Sequence, residues 1–176
     1  MPRLPQITSS EGLSEEQRAV YESIATGARG GVRGPHTILL HNPELASRVE
    51  KLGKYLRYDC NVPQRLRELA ILVIAVRWNA EYEWYAHAPI ALGQGVPQNV
   101  LDAIKAGAVP DFDHASDRAV YEFVKELVAH GTASESVFQS AESVLSTQGV
   151  LDLTALVGYY TFLAFVLNAF DVQPPR

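Results

Sequence analysis

Eight consecutive aliphatic residues, Leu69 to Val76, decide most of what this chain can fold into. No surface helix exposes such a run, so it must lie in a core and be packed on every side. Glu68 stands directly in front of the run, and a polar and aromatic stretch from Arg77 to His87 follows it. Ionisable groups at the edge of an apolar interior acquire shifted pKa values and chemical uses, so the chemistry of the protein is expected here.

Helix punctuation recurs along the chain. Ser14-Glu15-Glu16-Gln17 reads as a capping box, and Asn42-Pro43-Glu44 supplies a cap, a proline at the first helical position and an acid in the first turn. Pro63 and Pro97 open further helices, while Gly27, Gly107 and Gly131 close others. Asn79 is expected to end the aliphatic helix and cap the next, and Pro89 to kink that next helix beside His87. Ser134 to Thr147 reads as one helix and the apolar stretch ending at Phe170 as another, with Gly149 between. No window alternates with strand period, and neither repeat nor linker appears. The expectation is an all-α bundle of about eight helices, a single domain over residues 1–176 with an extended arm at 1–12.

Composition removes several function classes. The net charge of −5 comes from interspersed charges with no basic stripe, which argues against a nucleic-acid partner. Cys60 is the only cysteine, so neither an internal disulfide nor a cysteine zinc site can form; a free thiol suits a reducing cytoplasm. Asp59 beside it opposes a thiolate. No signal peptide is visible at the N-terminus. Leu153 to Phe170 carries no charge and approaches membrane-spanning length, but it includes Thr154, Gly158, Tyr159, Tyr160 and Asn168 and lacks Lys or Arg anchors. It is expected in the core of a globule or an oligomer, not in a membrane.

Glu83 and His87 are four apart, so they share one helix face, and a neighbouring carboxylate raises a histidine pKa toward general acid–base use. Taken alone, Glu68 is a first-turn acid favoured by the helix dipole and paired with Arg65 or Arg67. Glu83 is either an active carboxylate or an exposed helical partner. The three could supply metal ligands, but the paired Glu-x-x-His signature of di-iron bundles is missing, so no metal and no cofactor are expected. The glycine-rich loop Gly27–Gly34 lacks the Lys-Ser/Thr ending of a P-loop, although Arg29 or Arg33 could reach an anionic ligand from it. His41 either hydrogen-bonds a ligand or caps the turn before Asn42. Tyr82, Trp84 and Tyr85 supply aromatic walls or subunit contacts.

Several phrases together resemble the carboxymuconolactone decarboxylase family, whose other branch is the alkylhydroperoxidase D-like proteins. They are Gly34-Pro35-His36, Leu40-His41-Asn42-Pro43-Glu44-Leu45-Ala46, Arg65 to Leu72, Ala80-Glu81-Tyr82-Glu83-Trp84 with His87, Gly158-Tyr159-Tyr160, and Leu167-Asn168-Ala169-Phe170. The resemblance implies an alkylhydroperoxidase D-like helical bundle assembled as a homotrimer or a hexamer of two trimers. In the redox branch a Glu precedes Cys-x-x-Cys, with a His four residues on. Glu68 and His87 match the Glu and the His, but the cysteine positions fall on Ala80 and Glu83. Thiol-dependent peroxidase activity is therefore not expected, despite the family's peroxidase label. The decarboxylase branch needs no thiol, and there the His looks like the proton-transfer residue.

The sequence thus leads to a decarboxylase-like lyase of aromatic breakdown, acting on a small carboxylated lactone or oxo-acid. His87, Glu68 and Glu83 are the expected catalytic groups. Arg33 or Arg77 would bind the substrate carboxylate, with His41, Tyr82 and Trp84 lining its site. The rival from another class is a non-catalytic oligomeric protein whose pocket only holds a small ligand.

Overall fold

Helix α4, Gln64–Arg77, carries the aliphatic run, and its residues from Leu66 to Ala75 are all buried. The computed structural model describes residues 2–175, and Met1, the first residue of the expected arm, lies outside them. In chain order the helices are α1 (Glu15–Thr26), α2 (His36–Leu39), α3 (Pro43–Lys54), α4, α5 (Glu81–Gly93), α6 (Gln98–Lys105), α7 (Ala115–His130) and α8 (Glu135–Ala169). No strand occurs among the described residues. The all-α expectation holds, with α5, α7 and α8 packed around α4. A central helix buried on every side needs no polar face, which is why its sequence reads as an unbroken apolar run.

The caps form as the sequence implies. The Ser14 hydroxyl accepts from the Gln17 amide at 3.2 Å while the Gln17 side chain accepts from the Ser14 amide at 3.1 Å. Asn42 accepts from the Leu45 amide at 3.1 Å. The N-terminal arm is tied down rather than loose: the Arg3 amide donates to the Phe170 carbonyl at 2.9 Å and the Ile7 amide to Thr37 at 3.0 Å.

Three local expectations are corrected. Asn79 does end α4, turning at φ 51°, but Ala80 occupies the cap of α5 and no side chain caps it. Glu68 is the fifth residue of α4, past the turn where the dipole acts most strongly. The break in α8 falls at Ser146 (φ 65°, ψ 168°), and Gly149 is a buried helical residue beyond it.

One irregularity positions the site. After α3 the chain winds through a π-helical turn, Tyr55–Asp59. Buried Asp152 of α8 pins both sides of it, accepting from the hydroxyl of Tyr55, its first residue, at 2.8 Å and from the amide and side chain of Asn61, just past its end, at 2.9 and 3.2 Å. That anchoring holds Arg57, in the middle of the turn, over the end of the bundle where α4 and α5 meet.

Candidate active site

Glu68 of α4 and Glu83 of α5 both reach His87, one turn beyond Glu83. His87 Nδ1 lies 2.6 Å from Glu68 Oε2, and Nε2 lies 3.4 Å from Glu83 Oε2. All three side chains are about 5% exposed, so water screens little of their mutual attraction. Burial drives the His87 pKa down, but hydrogen bonds and charge from Glu68 and Glu83 outweigh it, and the net shift is upward. The two acids therefore favour the charged form of the imidazole between them. Tyr160 of α8 meets the ring edge-on, with centroids 5.3 Å apart. Burial pushes the Tyr160 phenol well above its ordinary value, so it stays protonated.

The group borders a cavity of about 170 Å³. Glu83, His87 and Tyr160 form one wall; Arg29, Arg57 and His36 stand among the other lining residues, with Arg33 and Tyr82 also present. Three guanidinium groups thus face a space whose only lining carboxylate is Glu83. Gly34 is the residue that admits Tyr82: it sits at φ +54°, and a Cβ there would overlap the Tyr82 ring.

The structure separates the expected residues. Glu68, Glu83 and His87 come together, and Arg33 and Tyr82 line the same cavity. Arg77, His41 and Trp84 do not. Arg77 stacks on Trp78 at 4.6 Å and donates to the Val128 carbonyl at 3.3 Å, at the far end of α4. A helix of fourteen residues is about 20 Å long, so its last residue cannot serve a site beside its fifth. His41 bonds the Pro5 carbonyl at 2.8 Å, fastening the N-terminal arm. Trp84 packs half-buried against the core beneath Lys105, 4.8 Å from its ring, and is not among the cavity-lining residues.

Arg57, His36 and Tyr160 belong to the cavity, although the sequence does not single them out as ligand-facing. Tyr160 does stand in the phrase Gly158-Tyr159-Tyr160 that carries the family resemblance. Arg57 has no local signal, because a π turn places it. Cys60 is not among the cavity-lining residues; its Sγ donates to the Leu56 carbonyl at 3.1 Å. Among the described residues no cluster of three His, Cys, Asp or Glu side chains is arranged to hold a metal ion.

The all-α bundle, with an acid–imidazole–acid group set where two of its helices meet, has an alkylhydroperoxidase D-like fold in a chain whose single cysteine is Cys60. Residues 43–126, which include all three of those side chains, match the model of the carboxymuconolactone decarboxylase family. Solved structures share the fold. An alkylhydroperoxidase AhpD core from Ralstonia eutropha, an uncharacterized peroxidase-related protein, superposes with a TM-score of 0.80 at 17% identity, covering 99% of this chain and 92% of its own. An uncharacterized peroxidase-related protein from Silicibacter sp. gives 0.78 at 15% identity, with 99% and 94% covered. A cysteine-to-alanine variant of the debrominase Bmp8, in complex with 2,3,4-tribromopyrrole, gives 0.72 at 18% identity, with 98% and 93% covered. Identities this low establish the fold alone. Among curated proteins no sequence matches the chain significantly.

Proposed function

We propose that the protein is a decarboxylase-like lyase acting on a small carboxylated lactone or related oxo-acid, with His87 as the proton donor. One observation carries the reading: a buried imidazole is held between two carboxylates at the edge of a cavity rich in guanidinium groups. Breaking the bond between the substrate and its carboxylate releases CO₂ and leaves the electron pair in a dienolate. That product needs a proton on carbon. Nε2 is the nitrogen to supply it, because its contact with Glu83 is the looser, while Glu68 holds Nδ1 and fixes the ring. Loss of the proton leaves neutral His87, which is recharged from solvent under the pull of both acids.

The chemistry asks for no thiol, in keeping with a chain whose single cysteine is engaged elsewhere. Thiol peroxidase activity of the kind suggested by the names of two neighbours would need a thiolate and a second, resolving thiol. A homo-oligomer, trimer or hexamer, belongs to the same proposal. Leu151, Ala155, Gly158 and Phe165 recur at helical spacing along an exposed face of α8, and Leu151 and Phe165 are 69% and 48% exposed. Helix α8 is also long and apolar enough to cross a membrane, but 61% of its most apolar window is buried in the fold, which favours the core-helix reading.

The test is CO₂ release from a panel of carboxylated lactones and oxo-acids, by the unaltered protein and by His87→Ala. Turnover that vanishes in His87→Ala, with the oligomer intact by light scattering, is the expected result. Equal turnover in both removes His87 from the mechanism, and silence across the panel with ligand still bound leaves a binding protein.

A further inference from the structure

The cavity that His87 lines also holds buried polar atoms without a hydrogen-bond partner. His36 is 2% exposed, and neither of its ring nitrogens has a hydrogen-bond partner. Its nearest acid, Glu50, stands 3.7 Å from Nε2, beyond hydrogen-bond reach, and Glu50 is already engaged by Arg29 Nε at 2.9 Å. Arg57 makes no hydrogen bond among the described residues; its guanidinium lies 5.5 Å from the Tyr58 ring centroid. It feels the charges of Glu68 and Glu83 without forming an ion pair with either. Buried donors left unpaired cost free energy, and native proteins keep few of them without a use.

We propose that His36 and Arg57, together with Arg29, form a subsite for a carboxylate of the ligand in the cavity that Glu83 and His87 also line. Burial and the two nearby guanidiniums lower the His36 pKa to about 3, so at neutral pH the ring carries one N–H to donate and no charge. A neutral imidazole beside arginines does not repel them, and it adds a directional hydrogen bond to their charge. The incoming anion would satisfy Arg57 and one His36 nitrogen at once. Arg33, exposed at the edge of the cavity and bonded only to the Gly30 carbonyl at 3.3 Å, would draw anions in without defining their seat.

The inference rests on the cavity being the ligand site proposed above, but not on decarboxylation, and binding tests it without turnover. The probes are 2-furoate, a five-membered oxygen ring bearing a carboxylate, and its neutral isostere 2-furamide, both titrated by calorimetry. The unaltered protein should bind furoate at least about tenfold more tightly than furamide, the least expected of a charge-assisted hydrogen bond. Arg57→Gln and His36→Phe should each abolish most of that preference while leaving furamide binding in place. His36→Phe should keep or raise the melting temperature, since it deletes buried unpaired atoms. Should it fail to fold, the partly exposed Arg57→Gln decides alone. Arg77→Ala, at the far end of α4, should keep the preference, which ties the effect to this cavity. Equal binding of the two probes, no saturable furoate binding, or a preference that survives Arg57→Gln would each overturn the proposal.

Discussion

Replacing Glu68 by Gln removes one negative charge from His87 and changes almost nothing in shape. The interaction it weakens is a 2.6 Å charge-assisted hydrogen bond between side chains about 5% exposed. Gln can still accept from Nδ1, so the cost is the difference between a charged and an ordinary hydrogen bond, about 1–1.5 kcal/mol. For a domain of this size that lowers the melting temperature by about 2–6 °C. Its pH dependence is the sharper test. The folded pKa of His87 is raised above its ordinary 6.5, so the stability it contributes is complete below pH 6.5 and disappears as pH rises through the folded value. The melting-temperature gap between the unaltered protein and Glu68→Gln should therefore be widest at about pH 5.5–6 and narrow under alkaline conditions. Glu83→Gln, which removes the partner at 3.4 Å, should show a smaller gap with the same trend. Differential scanning calorimetry across that range measures both. A Glu68→Gln gap that is absent, or constant with pH, would show that His87 is not held as a cation by Glu68.

Asp152→Asn should destabilise by about 1–3 kcal/mol, because it turns one of two accepting oxygens into a donor facing donors. Burial raises the Asp152 pKa, but its hydrogen bonds prevail and the net shift is down; its contribution is thus present above pH 3.8 and lost as pH falls through the folded value, as urea titrations at several pH values will report. Gly34→Ala should cost about 1–2 kcal/mol for the left-handed backbone alone, and the displaced Tyr82 ring should also weaken furoate binding, both measurable on one sample. Arg77→Ala should leave furoate binding and any turnover unchanged, and a loss in either would return that residue to the site.

What the sequence determined by itself was the helical architecture and the shared face of Glu83 and His87. Caps at Ser14 and Asn42 are local chemistry, and an aliphatic run such as Leu69–Val76 admits only a buried helix or strand, with no alternation to support the strand. Glu83 and His87 had to share a face, since four residues make about one turn. The pairing with Glu68 was legible only through the family pattern, because spacing within one helix says nothing about which neighbour crosses it. Tertiary structure decided the rest. It placed Arg77 at the far end of α4, gave His41 to the N-terminal arm and packed Trp84 half-buried under Lys105, three residues whose types suited a ligand but whose positions did not. It also brought Arg57 to the cavity through a π turn pinned by Asp152, a residue 95 positions away in the chain, and His36 to it from α2. Side-chain chemistry is written residue by residue, but which groups face one space depends on helix crossings and turn geometry set by contacts far apart in sequence.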